Sequence, residues 1–111
     1  MISSEFGVVT TTVSQREDAE RLAEILLSEK LAACVQIFNI GSRYVWKGEK
    51  VAEPELMLLV KTRASLFERV MTRIAEEHPY ETPELVATPF VGGIAGYLDW
   101  ITENTETEKP A

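Results

Sequence analysis

Residues 32–62 read AACVQIFNIGSRYVWKGEKVAEPELMLLVKT. β-branched and aromatic side chains fill both halves, and such residues suit a pleated, half-buried surface. The first half, 32–48, reads as one long strand interrupted at Gly41-Ser42, because a glycine inside a strand pattern marks a bulge or a bend. Gly48-Glu49-Lys50 reads as the turn, and 51–62 as the return strand. Pro54 lacks an N–H and belongs at an edge or an irregularity. The run LMLLV at 56–60 is wholly apolar, the mark of a strand covered on both faces.

The flanks complete a pattern. Upstream, 6-FGVVTTTV-13 is a strand by composition. Ser14 with Glu17 three residues on forms a capping box for a helix. Ala19, Leu22, Ala23 and Leu26 recur at helical spacing, with an end expected near Glu29 or Lys30. Downstream, Ser65 with Glu68 repeats the capping signal, and Leu66/Phe67, Val70/Met71 and Ile74/Ala75 form a helical stripe that Pro79 stops. Residues 84–91 read as a fourth strand interrupted by Pro89, and 94–103 as a short helix with Ile94, Tyr97, Leu98 and Ile101 on one face. The order is β-α-β-β-α-β plus a terminal helix. That is an α+β, ferredoxin-like arrangement: an antiparallel sheet with two helices on one face. Residues 1–102 read as one domain and 103–111 as a polar tail.

The bulk numbers narrow the function classes. A chain of 111 residues fits one compact domain, and its 45% hydrophobic and 26% charged content fits a globular core. The net charge of −7 argues against nucleic acid and against anionic membrane surfaces, both of which need a basic face. One cysteine rules out an internal disulfide and fits a reducing compartment. No apolar run approaches the roughly 20 residues of a membrane span, and the start carries no basic leader, so the cytoplasm is expected. No Gly-rich phosphate loop, nucleophile elbow or zinc-ligand spacing occurs, and no enzymatic activity is expected.

The two long strands also speak to assembly. A strand of about 14 residues spans roughly 45 Å, whereas a domain of this size has a radius of gyration of about 13 Å. The ribbon therefore projects beyond its own helices. Its far halves carry Ile37, Phe38, Ile40, Tyr44, Val45 and Trp46, an apolar surface that invites cover. Another copy of the chain is the expected cover.

Five blocks, 29-EKLAACVQI-37, 44-YVWKGE-49, 55-ELMLLVKT-62, 78-HPYETPEL-85 and 97-YLDW-100, together resemble the CutA family of divalent-cation tolerance proteins, from about Val8 to Trp100. The resemblance implies a tight homotrimer, PII-like in architecture, in which the long strands pair with those of neighbouring subunits. It implies a cytoplasmic protein of the response to copper and other divalent metals. The family's best-discussed metal sites use a cysteine on the first strand and histidines just before the Pro-Tyr block. Here the first strand offers Thr11, and Glu77 precedes the only histidine, His78.

His78 has two readings. It caps a helix and complements the negative end of its dipole, or it gives a weak metal contact with Glu77 or Glu81 supplying oxygen. Cys34, flanked by apolar residues, reads as a buried small hydrophobe; Met57 and Met71 read as core. No cofactor is required on this reading, though copper or another divalent cation is a candidate ligand. A second cluster, Trp46, Lys47, Glu55, Lys61, Tyr80, Glu81 and Tyr97, lies near strand ends. Aromatics with a few placed charges characterise a small-ligand cleft. Lys61 is expected to pair with Glu55 or Glu81 or to meet an anion. These residues line a cleft between subunits for a small effector, or they hold the trimer together.

Overall fold

The computed structural model describes residues 5–106. Eight elements follow the expected order: β1 Phe6–Val13, α1 Arg16–Ser28, β2 Cys34–Trp46, β3 Glu49–Arg63, a 3₁₀ turn Ala64–Leu66, α2 Phe67–Glu77, β4 Val86–Pro89 and α3 Ala95–Glu103. The strands form one antiparallel sheet in the order β2-β3-β1-β4.

One face of this sheet builds the core. On β3, Leu56, Leu58 and Val60 point to one side; opposite them on β1 stand Val13, Thr11 and Val9. Ala19, Leu22 and Leu26 of α1, with Val70 and Ile74 of α2, close over that side. The fully apolar run 56–60 is not covered on its other face within one chain. Met57 and Leu59 are only half-buried, and Phe38 opposite Met57 is 45% exposed. α3 packs on β3 near Arg63, whose Nε donates to Thr105 Oγ1 at 2.9 Å. Of its expected apolar face, Leu98 and Ile101 are buried, but Ile94 is 78% exposed because it precedes the first helical turn.

The ribbon differs in detail from the sequence reading. No bulge interrupts β2: Gly41 faces Pro54 and Ser42 faces Glu53 in unbroken register. β1 stops pairing with β3 at Val13–Leu56, so at Pro54 the strand has β2 as its one neighbour and the missing N–H is free to face the open edge. The turn is Lys47-Gly48, one residue earlier than read. Both have positive φ, 50° and 81°, and Trp46 faces Glu49 across them. That is the two-residue turn whose twist matches the strands it joins.

Neither capping box forms. Gln15 occupies the N-cap of α1 and Leu66 that of α2, each without a side-chain bond to the backbone. Part of the expected tail is docked: Thr105 is 6% exposed, and the Glu106 N–H donates to the Lys30 carbonyl at 2.7 Å. Residues 107–111 of that tail lie outside the described residues.

Candidate functional site

Along the projecting half of the ribbon lies a cleft of about 720 Å³. Strand alternation builds it. Trp46 and Tyr44 of β2 share a face with Glu53 and Glu55 of β3, and all four line the cleft. The loop after α2 adds Tyr80, Glu81 and Glu84. Arg43 supplies the one guanidinium of the lining, and it makes no ion pair among the described residues.

Two phenol–carboxylate pairs order this wall. Tyr80 Oη donates to Glu55 Oε2 at 2.6 Å. Glu55 is only 7% exposed, and a buried carboxylate needs such a donor. Tyr44 Oη donates to Glu53. That bond, with the adjacent negative charge, pushes the Tyr44 phenol up to about 12. Burial first, and the Glu55 bond second, raise Tyr80 as well. Both phenols therefore stay protonated near neutrality, each with its proton directed at a carboxylate. Ser14, expected to cap α1, makes no cap and lines the cleft with Tyr80.

His78 is held behind this wall. It follows α2 in an extended conformation, with ψ 136°. Its Nε2 lies 2.9 Å from the Thr12 carbonyl and 3.1 Å from Thr11 Oγ1, while the Tyr80 N–H donates to Nδ1 at 3.1 Å. The Thr12 carbonyl only accepts, so Nε2 carries the proton. Nδ1 accepts a backbone N–H, so it carries none. The ring is the neutral Nε2–H tautomer, and burial pulls its pKa below the ordinary histidine value. Both nitrogens are engaged. The expected helix cap is thus not made by His78; Arg21 Nη1 of α1 donates to the Glu77 carbonyl at 3.1 Å instead.

The other candidate residues scatter, because each follows its own strand or helix. Glu77 pairs through its two oxygens with Arg21 at 3.3 Å and Arg73 at 3.0 Å. Glu81 lines the cleft, apart from that pair. Among the described residues no three His, Cys, Asp or Glu side chains converge as a metal ligand set. Lys61 does not line the cleft. From Glu55 to Lys61 the extended chain advances about 20 Å, and Lys61 faces Val8 and Cys34. Tyr97 stacks on Trp100, centroids 5.7 Å apart, at α3. Lys47 sits in the turn with its ammonium 5.6 Å from the Trp46 ring centre. Cys34 is half-buried rather than buried, because it starts an edge strand. The sequence reading missed Tyr44, Glu53, Arg43 and Glu84. Period-two spacing from Trp46 and Glu55 was the signal for Tyr44 and Glu53.

An antiparallel four-stranded α+β sheet, helices on one face and a projecting hairpin lined by an acid-aromatic cleft define the structural class. The family model described as CutA1 divalent ion tolerance protein matches residues 7–104, and the chain belongs to that family. It is similar to the divalent-cation tolerance protein CutA of Thermus thermophilus, 46% identical over 99 residues that cover 88% of this chain and 96% of the relative. It is 41% identical to the chloroplastic protein CutA of Arabidopsis thaliana over 99 residues, 88% of this chain and 54% of that protein. Among solved structures, the periplasmic divalent cation tolerance protein CutA from Archaeoglobus fulgidus has a TM-score of 0.88 at 40% identity, covering 91% of this chain and 99% of the other. No helix among the described residues is long and apolar enough to cross a membrane.

Proposed function

We propose that this chain is a cytoplasmic, homotrimeric, non-enzymatic protein of the response to divalent metal ions such as copper, and that it meets the ion weakly. The observation that carries this reading is the cleft. Glu53, Glu55, Glu81 and Glu84 outnumber the single Arg43 in a chain of net charge −7. Such a wall attracts divalent cations, and oxygen donors without imidazole or thiolate exchange them readily. Membership of a divalent ion tolerance family supports the same role. Copper prefers imidazole, and it reaches His78, with Glu77 or Glu81, only where the His78–Tyr80 turn opens.

Calorimetric titration with copper tests this on the parent, His78→Ala and the Glu81→Gln/Glu84→Gln pair. Heats should fall by about half or more in the carboxylate variant. Unchanged heats there reject the cleft as the cation surface, and unchanged heats in His78→Ala remove the imidazole as a ligand.

A second reading is favoured by the aromatic lining. Tyr44, Trp46 and Tyr80 in a space of about 720 Å³ match the size and character of a small-molecule site. On that reading the trimer is a PII-like sensor whose clefts, completed between subunits, take an effector. A thermal-shift screen of small metabolites should show a ligand that raises the melting temperature; a flat screen rejects the effector.

A further inference from the structure

Glu77 and His78 are neighbours in sequence and could serve an ion as a pair, yet in space the pair is closed. Both ring nitrogens of His78 are engaged, Nε2 with the Thr12 carbonyl and Nδ1 with the Tyr80 N–H. Both carboxylate oxygens of Glu77 accept from guanidiniums, Oε1 from Arg21 and Oε2 from Arg73. We infer that Arg21 is the latch on this pair: by tying the last peptide and the last carboxylate of α2 to α1, it keeps the imidazole turned in against β1. This rests on the reading that the chain meets divalent cations, and it names what regulates their access to His78.

The geometry singles out Arg21. Its Nη1 donates to two acceptors of Glu77, the main-chain carbonyl at 3.1 Å and Oε1 at 3.3 Å, while Nη2 donates to Asp18 Oδ1 at 2.9 Å on its own helix. A carbonyl in the last turn has no partner inside its helix. Here a charged donor supplies one, and such bonds are the stronger kind. The peptide held in this way leads directly into His78. Arg73, by contrast, reaches only side chains, those of Glu29, Glu76 and Glu77.

The turn follows from that fixed peptide. His78 leaves α2 extended, sets Nε2 against Thr11 and Thr12 of β1, and receives the Tyr80 N–H two residues on. The Tyr80 ring meets the imidazole edge-on, centroids 4.9 Å apart. An imidazole that swings out must break the Thr12 and Tyr80 bonds, and the backbone must follow it. While Arg21 holds the Glu77 carbonyl, the backbone stays. An ion approaching Glu77 also meets the like charge of the guanidinium.

The chain has one histidine in 111 residues, so its reactivity reports this corner alone. Diethyl pyrocarbonate acylates the free lone pair of a neutral imidazole, and peptide mass mapping locates the product on His78. In the full chain, Arg21→Met should react about tenfold faster than the parent, because loss of charge-assisted bonds raises the open fraction. Arg73→Met removes ion pairs but no bond to the backbone, and it should react at the parent rate. Thermal melts verify that both variants are folded. Equal rates in Arg21→Met and the parent overturn the latch. Equal acceleration in the two variants overturns it too, as general loosening. Copper(II) titration, with the imidazole proton signals followed by NMR, separates the latch from the reading beneath it. Copper should broaden those signals at about tenfold lower concentration in Arg21→Met. Broadening in neither protein, with the difference in acylation present, rejects the imidazole as a ligand and supports the latch. Equal broadening with equal acylation overturns the latch and leaves the cation reading standing.

Discussion

Tyr80 and His78 illustrate how single side chains hold the site. Tyr80→Phe removes the one phenol donor to a carboxylate that is 7% exposed. It should cost about 1–3 kcal/mol in urea unfolding, the penalty for an unsatisfied buried acceptor; a neutral result would mean that Glu55 is satisfied elsewhere. His78 predicts a pH dependence. Its folded pKa lies below the ordinary 6.5 because burial disfavours the imidazolium. The unfolded chain therefore takes up the proton first as pH falls. The stabilisation is complete above about 6.5 and is lost as pH drops toward the folded value. The charges of Asp18, Arg21 and Glu55 modulate that value. In His78→Gln this component vanishes, so the gap in unfolding midpoint between parent and variant should narrow as the pH is lowered below about 6.5. A constant gap would reject the neutral tautomer. A histidine after a helix reads from sequence as a cap; that its ring instead spans to β1 depends on sheet residues 66 and 67 positions away.

Elements behave according to where their neighbours let them end. Period-two composition was enough to locate β1 at 6–13 as observed, because β-branched residues were bounded by a polar turn. In the first capping box Gln15 takes the N-cap position, and Ser14, one residue earlier, lines the cleft instead. In the second, the chain leaves β3 through a 3₁₀ turn that contains Ser65. Gly7 shows a constraint that composition cannot display. A Cβ there would stand 2.3 Å from the Thr88 carbonyl oxygen and 2.5 Å from Phe67 Cζ, so β4 and α2 both close on a bare backbone. Gly7→Ala should lower stability by about 1–3 kcal/mol or more in a thermal melt, the cost of overpacking. At the ribbon tip, Gly48 has φ 81° with open space around it. Gly48→Ala should cost about 1 kcal/mol through backbone conformation alone, measured by the same melt.

The whole molecule measures 43 × 28 × 23 Å, with a radius of gyration of 14.7 Å against about 13 Å for a compact domain of this length. The projecting ribbon accounts for the elongation, and its apolar residues set the last prediction. Phe38 is 45% exposed opposite Met57 on the face that no helix of this chain covers there. If that face is the proposed trimer interface, Phe38→Glu should reduce the solution mass by light scattering from three chains to one, and a parent of single-chain mass would reject the assembly. Element order, two helices on one face of the sheet and the overlong hairpin were legible in 111 residues, because hydrophobic periods of two and 3.6 are local properties. Trp46, Glu55, Tyr80 and Glu81, named from the sequence for a cleft between subunits, line a cleft within the single chain. What only the tertiary structure decided was which side chains meet: Lys61 and Tyr97 go to the far end of the sheet, Tyr44 and Glu53 join the cleft, and both nitrogens of His78 are engaged. The physical reason is that strand register and the path of the loop after α2 are set by packing across distant segments, which no stretch of sequence contains by itself.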